Sequence, residues 1–118
     1  MGEFWLRIKD LSVDERPREK LIQKGASALT VYELLAIILR TGTKDYNAID
    51  LSKKIIFEFG SLKNLFSADR EELLKVKGLN TAKVATLLSV IELSKRYQKE
   101  NNGEKIKISS SEDVYRVY

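Results

Sequence analysis

Cysteine and histidine are both absent from the 118 residues. Without thiols there is no disulfide framework and no thiolate metal site. Without imidazole there is no His-based zinc site, no Ser-His-Asp triad and no imidazole acid–base chemistry. Proline occurs once, at Pro17. Alternation of β-branched residues is scarce before residue 104, so little of the chain can build a sheet. No run approaches the roughly 20 apolar residues that a membrane span requires. The stretch from Met1 to Leu11 has neither a long apolar core nor a small-residue cleavage site, so no signal peptide is read there, no membrane contact is expected, and the cytoplasm is the expected location.

What is present suits a soluble helical domain: 43% hydrophobic and 32% charged residues, with a formal net charge of +4. A first helix is expected from Pro17 to Lys24, with proline at an early helical position and Gly25 as the stop. Thr30 and Glu33 form a capping box ahead of Leu34, Leu35, Ile37, Ile38 and Leu39, an apolar run expected to be buried on most sides. That helix should stop at Arg40-Thr41-Gly42-Thr43, where Gly42 can supply a positive φ. Ala48, Leu51, Ile55 and Phe59 recur at spacings of three and four, the mark of one buried helical face over about residues 47 to 59. Gly60 ends it, and Ser61 caps a short turn from Leu62 to Phe66. Ser67 or Asp69 opens a helix running through Glu71, Glu72, Leu73, Leu74 and Val76, and its acidic first turn complements the helix dipole. The longest helix spans roughly Thr81 to Lys99, with Val84, Leu87, Leu88 and Ile91 on its core face.

Beyond this helix the character changes. Residues 100–105 read as a polar linker, Lys105 to Ile108 as a short strand, and Ser109 to Asp113 as a helix start leading to Val114 and Tyr118. The expected fold is therefore all-α: a compact domain of five to six helices over residues 1–99, then the opening of a second, truncated domain over residues 106–118. A loose internal echo supports this. Glu33-Leu34-Leu35 and Glu72-Leu73-Leu74 are each followed by a Gly-containing turn and a helix, as two helical hairpins about a pseudo-two-fold axis would be.

The stretch Leu73 to Val84 carries the chemistry. A helix ends, the backbone turns at Gly78-Leu79-Asn80, and a new helix begins at Thr81. Gly78 permits the crowded turn, Leu79 is an apolar plug, and Asn80 can cap the following helix. Backbone N–H groups left open at such a helix start attract phosphate; those of Gly78, Asn80 and Lys83 are the main candidates. Lys83, in the first helical turn, opposes the macrodipole by about 0.3–1 kcal/mol, a placement that makes sense with an anion between them. From residue 75 to 99 the cations Lys75, Lys77, Lys83, Lys95, Arg96 and Lys99 meet a single acid, Glu92.

These residues resemble the helix-hairpin-helix motif, whose usual core is Gly-hydrophobic-Gly; here Asn80 stands in place of the second glycine. A wider resemblance covers about residues 7 to 118. Asp14-Glu15-Arg16-Pro17-Arg18-Glu19-Lys20-Leu21, then Glu33 through Thr43, then Phe59-Gly60-Ser61-Leu62, then Val76-Lys77-Gly78-Leu79 are similar to the N-terminal region of the RadC family. The resemblance implies a double helix-hairpin-helix fold and an association with DNA repair. It also implies a C-terminal JAMM/MPN-like metallopeptidase-type domain with a His-rich zinc motif. A chain without histidine lacks that motif, so no metal-dependent activity is expected of it.

The leading expectation is a non-enzymatic, sequence-independent DNA-binding module, its partner double-stranded or branched DNA. Its contacts are Lys77, Gly78, Leu79, Asn80, Thr81 and Lys83, with Arg40, Thr41, Gly42 and Thr43 as a second, degenerate hairpin. Some members of the motif class hold a monovalent cation on the hairpin carbonyls; no other cofactor and no metal is expected. The plainer reading of Gly78-Leu79-Asn80 is an ordinary tight connection between helices, and of residues 40–43 a polar loop. Lys95, Arg96 and Lys99 read as a solvated face, and Arg16 to Glu19 as capping and surface ion pairing ahead of a ligand role. The alternative function is a protein-interaction or regulatory domain that docks the missing C-terminal domain or a repair partner. A lysine-nucleophile lyase lacks an evident lysine–acid pair.

Overall fold

Most helix starts along this chain are set by side-chain caps. The computed structural model describes residues 16–104. Helix α1 runs Pro17–Lys24 and ends on Gly25 at φ 90°. A 3₁₀ turn, Ala26–Ala28, leads to α2, Val31–Leu39. The expected capping box closes both ways: Glu33 N donates to Thr30 Oγ1 at 3.1 Å, and Thr30 N donates to the Glu33 carboxylate at 2.8 Å. The same carboxylate accepts from Lys20 Nζ at 3.1 Å, which ties α1 to α2. Burial pushes the Glu33 carboxyl up, but the Thr30 N–H and the Lys20 ammonium outweigh it and hold the group below the usual 4.5.

Helix α3, Ala48–Phe59, is capped by Asn47, whose Oδ1 accepts from Asp50 N, and it stops at Gly60 in the left-handed region. Ser61 caps the short α4, Leu62–Leu65. Asp69, rather than Ser67, opens α5, Arg70–Leu74, through a second capping box with Glu72. Helix α6 spans Thr81–Lys99, and Glu100–Glu104 continues as a π-helical segment.

The chain divides into two units, residues 1–87 and residues 88–118. The first holds α1 to α5 and the opening of α6. Its core is aliphatic: Leu35 and Leu39 of α2, Leu51 and Ile55 of α3, Leu65, Leu73, and Val84 and Leu87 of α6 are all buried. Ser52, the buried polar residue, donates to Ala48 O at 2.8 Å, so burying it leaves no hydrogen bond unmade. The apolar face of α2 is narrower than expected, because Leu34 is exposed and Ile37 and Ile38 are half-buried. Phe59 is likewise only half-buried. In the second unit Ile91 is buried and Leu88 half-buried, and Arg96 pairs with Glu92 one turn back. The described residues are helical and contain no strand. The strand and helix start expected over residues 105–118 lie outside them.

Candidate nucleic-acid interface

Two inter-helix turns meet in the first unit. Turn 1 joins α2 to α3 through residues 40–47, and turn 2 joins α5 to α6 through residues 75–80. Sequence reasoning placed the positive φ of turn 1 on Gly42, and the structure corrects this. Arg40 takes it, with φ 71° and ψ −49°. Thr41 N donates to Leu39 O at 2.8 Å across Arg40, so the chain reverses in a tight γ-turn, a strained geometry for a residue with a Cβ. Gly42 is required for another reason: a Cβ there would stand 2.0 Å from Tyr46 O. Thr43 Oγ1 accepts from Asp45 N and Tyr46 N, both at 3.2 Å, and folds the rest of the turn on itself.

In turn 2, Gly78 has φ 103°. A Cβ on it would lie 3.0 Å from Leu51 Cδ1 and 3.3 Å from Thr43 Cγ2, so the two turns pack against each other at this glycine. Leu79 is buried, as a plug should be, while Lys77, Asn80 and Thr81 are exposed. Leu79 N donates to Val76 O at 3.1 Å. Asn80 Oδ1 accepts from Lys83 N at 2.9 Å and caps α6.

That cap overturns one expectation. Of the three amides thought open to an anion, Lys83 N–H is consumed internally. The N–H groups of Gly78 and Asn80 have no hydrogen-bond partner among the described residues. The Lys83 side chain is occupied as well. Its Nζ donates to Leu39 O at 3.0 Å and to Thr41 Oγ1 at 2.7 Å. Its place at a helix start thus has a structural reason: the ammonium neutralises the negative C-terminal end of α2 and fastens turn 2 to turn 1. Burial, and then the neighbouring Arg40 guanidinium, hold its pKa below the usual 10.5. Thr41 and Thr43 keep hydroxyl hydrogens to donate, because both accept in these bonds.

The hairpin carbonyls are also engaged. Lys77 O accepts from Lys54 Nζ at 3.4 Å, and Val76 O accepts from Leu79 N. The Lys54 ammonium thus stands at one of the hairpin carbonyls. Among the described residues no group of three or more His, Cys, Asp or Glu could hold a metal ion, and no helix is long and apolar enough to cross a membrane.

Sequence reasoning set capping and surface ion pairing of Arg16 to Glu19 ahead of a ligand role. Arg16 and Arg18 line a cleft of about 370 Å³ together with Arg40 and Thr41. Arg16 stands at the N-cap of α1 without a side-chain capping bond, contrary to the capping role expected of this stretch. The only available signal was the pair of arginines flanking Pro17; nothing local to it points toward residue 40.

The family described as UPF0758 N-terminal matches residues 8–85. UPF0758 proteins of Clostridium botulinum strain Hall and strain 657 are each 47% identical to this chain over 92% of it and 47% of their own length. A UPF0758 protein of Clostridium tetani strain Massachusetts is 44% identical over 92% of this chain and 48% of its own length. The chain spans about half the length of the curated relatives it matches. No solved structure matches it.

Proposed function

Because this chain belongs to the UPF0758, RadC-like, family, we propose that it is a non-enzymatic DNA-binding module associated with DNA repair, which holds backbone phosphates without reading bases. The observation that carries this reading is the unspent Gly78 and Asn80 amides beside exposed Lys77, at the start of α6, next to the exposed Arg40, Thr41 and Thr43 of turn 1. Backbone amides at a helix start suit a phosphate oxygen. Lys77 and Arg40 add charge, and the threonine hydroxyls add donors. Such contacts position a protein and carry no base information. Lys83 acts from behind, by holding the two turns in register.

Binding should be sequence-independent, with Kd of about 10⁻⁴–10⁻⁶ M at physiological salt. With roughly two to four phosphates engaged, log K should fall against log salt with a slope of about −2 to −4. An amide chemical-shift titration of the chain with a short duplex and a branched DNA tests this. Shifts should centre on Gly78, Asn80, Thr81 and residues 40–43, and Lys77→Glu should weaken them. No binding of either DNA at low salt refutes the proposal.

A specific observation favours the second reading, an interaction module. Phe57 is 87% exposed and lies in an open groove with Tyr32, Tyr46 and Ile56. Phe57→Ser would abolish docking to the remainder of a full-length relative and leave DNA binding intact.

A further inference from the structure

The cleft of about 370 Å³ between the start of α1 and the end of α2 is lined by three arginines, Arg16, Arg18 and Arg40. The Thr41 hydroxyl stands on its wall, already bonded to the Lys83 ammonium. Among the described residues Glu19 is the one acid lining it. Neither Arg18 nor Arg40 is held in an ion pair among the described residues. Exposed arginines have long stems and can spread their charges apart in water. Like charges drawn round one concavity instead make a site suited to an anion.

The shape and chemistry narrow the anion. Pro17 and Ala36 are buried and Ile37 is half-buried, so part of the lining is apolar and can take a sugar or base edge. A guanidinium presents a planar fork that matches two phosphate oxygens. A phosphodiester inside a strand has two free oxygens and one charge, with chain continuing on both sides. A terminal phosphomonoester has three acceptor oxygens and a charge of about −1.5 to −2 at neutral pH. It can also enter a cleft end-on, and the forks of Arg18 and Arg40 on one side, with Arg16 adding charge, suit it better.

We infer that the Arg16–Arg18–Arg40 cleft holds the terminal phosphate of a nucleic-acid strand, so that the module favours DNA with phosphorylated ends over continuous duplex. This rests on the DNA-binding reading above and extends its basic surface from turn 1 onto α1. Arg40 is shared by the two surfaces; Arg16 and Arg18 belong to the cleft alone.

Fluorescence anisotropy of the full 118-residue chain tests the inference with three probes of one sequence: a duplex with phosphorylated ends, the same duplex with hydroxyl ends, and a closed dumbbell without ends. The phosphorylated duplex should bind at least about tenfold tighter than the other two, the low end for a charge-assisted hydrogen bond. Arg18→Ala should bring the three within about twofold while leaving the hydroxyl-ended duplex bound as before, and Arg18→Lys should restore part of the preference. Thermal unfolding of each variant confirms that it is folded. Equal binding of all three probes by the wild type overturns this inference and leaves the turn-based reading standing. Binding of the phosphorylated duplex alone supports the cleft and removes the turn-based reading. Competition separates the sources of phosphate: a nucleoside monophosphate should displace the duplex at lower concentration than inorganic phosphate, and equal potency overturns the assignment to a strand end.

Discussion

Replacing Lys83 with methionine keeps the stem and removes the ammonium that joins the two turns. Two hydrogen bonds are lost, to Leu39 O at 3.0 Å and to Thr41 Oγ1 at 2.7 Å. A hydrogen bond involving a charge contributes about 1.5–3 kcal/mol when well shielded. These are half-exposed, and Lys83 stands near Arg40, so each contributes less. Leu39 O keeps the Thr41 N–H, so no carbonyl is orphaned. The cation at the end of α2 adds about 0.3–1 kcal/mol through the helix dipole. A net loss of about 1–2 kcal/mol follows, and each 1 kcal/mol lowers Tm by about 4–8 °C in a domain of this size. Urea unfolding of Lys83→Met, Thr41→Val and the double variant should give a coupling energy of about 0.5–1.5 kcal/mol. The exposed Lys77→Met should stay within about 0.5 kcal/mol of wild type. If Lys83→Met matches Lys77→Met and the coupling is zero, the ammonium does not join the turns, and another contact must.

Gly42→Ala should cost more than about 3 kcal/mol, because Tyr46 O is backbone and cannot swing away, whereas Gly25→Ala meets open space and should cost about 1–2 kcal/mol for its φ of 90°; thermal melts followed by circular dichroism rank the pair, and the reverse order refutes the packing argument. Glu33 titrates below 4.5 in the folded chain, so its contribution is fully present above that pH and is lost as pH falls through the folded value. The urea midpoint of Glu33→Gln should therefore fall less steeply than that of wild type from neutral pH to about pH 3. An NMR titration of the Lys83 ammonium should give a midpoint below 10.5; Arg40→Ala should move it only part of the way back, since burial is the larger cause.

The elements whose boundaries rest on neighbouring residues were legible in the sequence. Pro17 and Gly25 bracket α1, Thr30 with Glu33 starts α2, and Asn80 sits just ahead of α6, because caps and stops act over three or four residues. What escaped reading depends on distant partners. Lys83 looked like a cation waiting for phosphate, since its partners, Leu39 and Thr41, are 44 and 42 positions away. Gly42 looked like a left-handed stop because glycine usually serves that purpose; the constraint comes instead from Tyr46 O closing over it. Arg16 and Arg18 looked like surface charges until α2 brought Arg40 beside them. In the candidate site the sequence located the two turns but not which donors in them were already engaged.

The backbone at Arg40 sets a conflict between endurance and grip. A glycine would occupy φ 71° without steric objection, whereas a side chain there stores strain of order 1–3 kcal/mol. The protein therefore keeps, in the lining of its basic cleft, a residue that it holds under tension. Relaxing that corner would take away the guanidinium with it, so hardening the scaffold at this position and preserving its hold on an anion are opposed aims.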